Sequence, residues 1–149
     1  MKLQRMFSCI TGVCIAVGFA ASQSMAGTGP QECNLAIEIN ALRGGSPTVT
    51  VNATKDITSK ARIEKGSAVD GTTIDTQLMI EAIDGTQTID TKFAGPIRLG
   101  IGKGGQGDKL RMVIGQCLTG EIEFKATFSG VDLNNNQCTA ERSIFKTCK

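Results

Sequence analysis

Cys33, Cys117, Cys138 and Cys148 are the side chains beyond the amino-terminal segment whose chemistry is easiest to name. An even set of thiols in a small exported domain reads as two disulfides, with three ways to pair them. Metal is the competing use. No CxxC pair occurs and the chain has no His, so a zinc site would need four thiolates from scattered positions.

Asp132-Leu133-Asn134-Asn135-Asn136 places side-chain oxygens at Asp132, Asn134 and Asn136. That alternation resembles the start of a calcium loop. Gln137 stands where such a loop needs glycine, and Ser143 where it needs a bidentate Glu. A plain turn satisfies the same residues. Calcium is the one cofactor this pattern admits; no other is expected.

Gly102, Lys103, Gly104, Gly105, Gln106, Gly107 and Asp108 form a second segment of interest. GxGxxG occurs twice around it, but phosphate cradling needs a helix amino terminus next. Asp108-Lys109-Leu110-Arg111-Met112 alternates as a strand instead. The segment is expected to be an inter-strand loop, and a candidate binding loop because function concentrates on loops held by a rigid scaffold.

Catalytic chemistry has little to work with. Without His there is no His-dependent triad or His general base. Asp70, Asp75, Glu81, Asp84 and Asp90 cluster in sequence, and the strand pattern assigns them to turns and a solvent face. Ser59-Lys60 offers a Ser–Lys pair only as sequence neighbours. The chain is not expected to be an enzyme.

These groups must be positioned by what surrounds them. Residues 1–26 have a secretory layout: Lys2 and Arg5, an uncharged apolar run from Met6 to Ala21, then Ser24-Met25-Ala26 before a cut. The apolar run is shorter than the roughly 20 residues of a spanning helix, so no membrane span is expected after cleavage near Ala26. Removing 26 of 149 residues leaves 123, with 14 basic and 14 acidic side chains. A neutral chain without Tyr or Trp lacks the phosphate-neutralising cluster that nucleic acid requires, so no nucleic-acid partner is expected. Neutrality also removes one guard against self-association.

Residues 27–32 read as a flexible lead, and 33–149 as a single domain. Period-two alternation dominates from Cys33 onward. The clearest strand is Thr72 to Ile83, with Ile74, Thr76, Leu78, Ile80 and Ala82 on one face. Asp84-Gly85 marks a hairpin turn. Further strands are expected around Leu35 to Ile39, Thr48 to Ala53, Ser59 to Glu64, Thr86 to Phe93, Ile97 to Ile101, Leu110 to Ile114, Ile122 to Phe128 and Thr139 to Thr147. Such a series predicts an all-β, antiparallel β-sandwich, immunoglobulin-like in general architecture. Thr48–Ala53 and Thr86–Thr91 would be edges.

If the last two strands pair around Val131 to Gln137, opposed residue numbers sum to about 266. Cys117 and Cys148 would then face each other at the open end, and Cys33 would join Cys138. The function expected is that of a secreted or periplasmic, non-enzymatic module meeting a protein or cell-surface partner, in an adhesin-like, matrix or assembly role. The alternatives are a small ligand- or calcium-binding protein and an enzyme inhibitor presenting one rigid loop.

Overall fold

A computed structural model describes residues 33–102 and 104–149. The expected leader, its expected cleavage position and residues 27–32 lie outside the described residues, as does Lys103.

The described residues form eight strands and no helix. They are β1 (Ile37–Arg43), β2 (Thr48–Val49), β3 (Ala53–Ile63), β4 (Thr73–Asp84), β5 (Gln87–Gly100), β6 (Gln106–Ile114), β7 (Glu121–Val131) and β8 (Gln137–Cys148). One sheet has the order β1-β3-β6, the other β2-β8-β7-β4-β5. Every pairing between these strands is antiparallel except the short β2–β8 contact; an isolated bridge between Ile63 and Ile101 is parallel as well. The all-β, two-sheet architecture is therefore present, but the three-stranded sheet curls into half a barrel where a layer of an immunoglobulin-like sandwich was expected. A bulge between Ile39 and Ala41 contributes, because an extra residue bends its strand.

The same bulge carries β1 past Ile39, where the strand was expected to stop. The extra residue resets the inward parity, so β1 runs on to Arg43 and Leu42 is buried. Thr48–Ala53 is likewise not one strand. After Val49 the chain turns at Asn52, at φ 60°, and Ala53 opens the long β3. Gly95-Pro96 does not end a strand either, since β5 runs through it with a register shift opposite Thr76–Leu78.

One core fills the space between the sheets. Phe124 and Phe128 are fully buried at its centre, with Ile57, Leu78, Ile80, Leu99, Met112 and Ile122 around them. Burying each such side chain stabilises the fold by about 1.5–3 kcal/mol. With so few aromatics available, branched aliphatic side chains supply most of the remaining volume.

Side chains stitch the sheet margins where no ladder forms. At one margin the Val113 amide of β6 donates to Asp90 Oδ2 of β5 at 2.7 Å. At the other, Arg142 Nη1 of β8 donates to the Ile39 carbonyl of β1 at 3.0 Å. Edge groups satisfied in this way are less available to foreign strands.

Both expected disulfides are formed, Cys33–Cys138 and Cys117–Cys148. Two disulfides are compatible with an extracellular or periplasmic location.

Candidate functional site

The β7–β8 hairpin closes over Asp132–Asn136. Val131 pairs with Gln137, so opposed numbers sum to 268 and Phe128 faces Ala140. β7 runs on to Val131 and β8 starts at Gln137, past the expected Phe128 and Thr139, because Asp132 closes a tighter loop. The register lies two from the expected sum, so the Cys148 amide meets the Gly120 carbonyl. Its amide donates to the Asn136 carbonyl, and the Asn135 amide donates to the Asp132 carbonyl, each at 3.0 Å. Asn135 takes φ 66°, a region that Asn tolerates.

The Asp132 carboxylate is buried and engaged on both oxygens. Oδ1 accepts from the amides of Asn134 at 2.8 Å and Asn136 at 2.9 Å. Oδ2 accepts from Asn136 Nδ2 at 3.0 Å and the Asn34 amide at 3.4 Å. The Asn136 amide foremost, with Asn34 and Asn134 adding to it, holds this carboxyl below its ordinary range against the opposing effect of burial. Asp132 and Asn136 are thus brought together, while Asn134 is exposed. Cys33 and Cys138 lie beside Asp132, but their sulfurs are spent on the disulfide and cannot act as thiolate ligands. The carboxylate and the disulfide together tie the residue-34 segment to the hairpin tip.

That tip carries exposed apolar groups. Leu133 is 90% exposed, and with Val69, Leu35 and Ala68 it borders a hollow of about 270 Å³.

The glycine segment divides. Gly102, Gly104 and Gly105 lie in the connection after β5, whereas Gln106, Gly107 and Asp108 belong to β6, opposite Ala61, Lys60 and Ser59. The expected loop is shorter than its glycines imply because the β3–β6 ladder reaches back to Gln106. Asn40 Nδ2 donates to the Gly104 carbonyl at 3.1 Å, anchoring the connection to β1.

Ser59 and Lys60 point to opposite sides of β3, as neighbours on a strand must. Ser59 is buried and its hydroxyl donates to the Ala41 carbonyl at 3.4 Å; Lys60 is exposed. Among the clustered acids, Asp75 pairs with Arg98 on the surface at 2.9 Å. Asp84 departs from its expected place on a turn or solvent face: it is buried and receives the 116–119 connection. Its position at the end of an inward-facing alternation could have signalled this, since Ile74, Thr76, Leu78, Ile80, Ala82 and Asp84 share one parity.

The outer face of the five-stranded sheet is accessible along several rows of side chains. Register aligns its residues in rows: Phe145, Glu123 and Ile83; Ser143, Lys125, Glu81 and Thr91; Glu141, Thr127, Met79 and Phe93. Phe93 and Phe145 are each 58% exposed on this face. Thr127, at its middle, is buried among its neighbours.

These features define an all-β, two-sheet domain stapled by two disulfides. The sequence matches no protein-family model and no curated protein.

Proposed function

We propose that this chain is a secreted or periplasmic, non-enzymatic β-domain that works through protein or surface contact, in an adhesin-like, matrix or assembly role. The observation that carries the proposal is the outer face of the five-stranded sheet. Two of the four phenylalanines after residue 26, Phe93 and Phe145, stand exposed there instead of filling a core short of aromatics. Aromatic side chains rimmed by charge are what the centres of protein interfaces use. The finer architecture, an immunoglobulin-like sandwich presenting a sheet face, belongs to the same proposal and is supported by the two sheets sharing one core.

A contact through the face is favoured over strand addition, because Asp90 and Arg142 already engage backbone groups at the sheet margins. Calcium binding at Asp132 would have to compete with four protein hydrogen bonds, which favours the contact role over an ion site there. The test replaces Phe93 and Phe145 together by Ser and follows retention of the exported chain in the envelope or matrix fraction. Release of a folded, oxidised double variant is expected. Retention equal to that of the unaltered chain overturns the proposal.

A further inference from the structure

We infer that the partner is a second copy of this chain, received face to opposite face: the basic outer surface of one three-stranded sheet against the acidic outer surface of another copy's five-stranded sheet. This rests on the contact role proposed above and names its partner.

The strand registers sort the charges. Outward positions of β1, β3 and β6 carry Arg43, Lys60, Arg62, Lys109 and Arg111 against only Glu38 and Asp56. Outward positions of β4, β5, β7 and β8 carry Asp75, Glu81, Glu121, Glu123 and Glu141 against only Arg98 and Lys125. One face has an excess of three positive charges, the other of three negative charges, on a chain whose residues after 26 sum to zero.

Ion pairs within each face leave this imbalance in place. Arg62 meets Glu38, and both Arg111 and Lys109 meet Asp56. Arg98 meets Asp75, and Lys125 meets Glu141. Among the described residues, Arg43 and Lys60 on one face and Glu81, Glu121 and Glu123 on the other have no ion-pair partner. Complementary potentials of this kind orient encounter and fix register. Phe93 and Phe145 on the acidic side, and half-exposed Val113 on the basic side, supply apolar contact.

The two surfaces lie on the outer sides of sheets that enclose one core, so a single copy can engage two neighbours. The contact is heterologous. Such contacts build rings or filaments, never a closed two-fold dimer through one patch.

The test uses the full oxidised chain in sedimentation velocity at low salt and at about 1 M salt, where surface charge is screened within about 3 Å. Two charge-reversed proteins accompany it: Arg43→Glu with Lys60→Glu, and Glu81→Lys with Glu121→Lys. Both disulfides and a cooperative thermal transition certify folding. Should a reversal fail to fold, Arg43→Gln with Lys60→Gln and Glu81→Gln with Glu121→Gln replace it.

The unaltered chain is expected to form species larger than dimers that shrink at high salt. Each variant alone should associate at least about tenfold more weakly, since like charges then face each other across the contact. Their mixture should assemble again, because each supplies the face the other has lost and the two reversed faces are once more of opposite sign. A mixture of the two Gln variants, which lack that second pairing, should stop at one-to-one heterodimers. A monomeric unaltered chain, variants that assemble like it, or a closed two-fold dimer overturns the inference. So does a monomeric chain whose basic face instead binds heparin. If the unaltered chain is monomeric while the Phe93/Phe145 variant still loses retention, the second-copy inference falls and the contact role stands.

Discussion

Asp84 Oδ2 accepts a hydrogen bond from the Leu118 amide at 2.6 Å, joining the last residue of β4 to the connection between β6 and β7. Oδ1 accepts from the Thr119 amide at 3.0 Å and the Thr119 hydroxyl at 2.7 Å. A buried carboxylate is tolerated when donors replace its water. Cys117 sits next to Leu118, so the connection is held by a carboxylate on one side and a disulfide on the other.

The Leu118 amide first, then the Thr119 hydroxyl and amide, hold the Asp84 carboxyl below its ordinary range; Asp132 is held low by the Asn136 amide. For both, the folded-state value lies below the unfolded value of about 3.9. The stabilisation is therefore full well above that value and is lost as pH falls through it toward the folded value. We predict a melting temperature that drops steeply below about pH 4. Asp84→Asn and Asp132→Asn should lower it at pH 7 more than Asp75→Asn, whose ion pair with Arg98 is exposed. They should also flatten the acid limb. Thermal melts across pH check this, and an unchanged acid limb in both variants would refute it.

The two disulfides should contribute unequally. Cys33–Cys138 closes 105 residues and Cys117–Cys148 closes 31. On the chain-entropy account, the longer closure stabilises more by about 1 kcal/mol. Removing Cys33–Cys138 also loosens the anchorage of Asn34 to Asp132. Urea unfolding of the Cys33→Ala/Cys138→Ala and Cys117→Ala/Cys148→Ala variants should show the first to be the weaker protein. The reverse order would place the dominant effect in the native state instead.

Asp90 makes a separable prediction about aggregation. Its Oδ2 takes the Val113 amide, which faces away from β3 at the margin of the three-stranded sheet. Asp90→Ala frees that amide at a cost of about 1 kcal/mol and exposes an edge donor to other chains. Light scattering during incubation below the melting temperature should show faster aggregation than for Glu64→Ala, a loop carboxylate whose side chain bonds no amide among the described contacts. Equal rates would mean the margin is protected without Asp90.

What the sequence carried was parity. Ile74, Thr76, Leu78, Ile80 and Ala82 face inward as alternation requires. The hairpin brings Cys117 near Cys148 even though its register is two off, and Cys33 and Cys138 are the pair that remains. What it did not carry were bulges and register. Nothing in Asn40 or Ala41 announces the extra residue that buries Leu42, because a bulge is decided by the partner strand. The opposed charges of the two outer faces were invisible for the same reason. Arg43 and Lys109 are 66 residues apart in the chain, and only the placement of Thr58 between them puts them in one row.

Gly107 tests that register most directly. It lies opposite Lys60 in the β3–β6 ladder, and a Cβ built there would overlap the Ser59 carbonyl oxygen and carbon. The obstacle is backbone, so no side-chain rotation relieves it and the two strands must part. Gly107→Ala should therefore destabilise the domain by about 1–3 kcal/mol, the usual range for overpacking. Gly104→Ala is the matched control, three residues away, where a Cβ meets open space. Urea midpoints for the two variants check the contrast: a clear fall for Gly107→Ala and almost none for Gly104→Ala. Because Lys60 and Lys109 flank Gly107 on the outer face, the same substitution should also weaken any contact that depends on the spacing of those two ammonium groups. Equal midpoints would show that β3 and β6 do not approach closely at this point, and the charge rows drawn from their register would lose their basis.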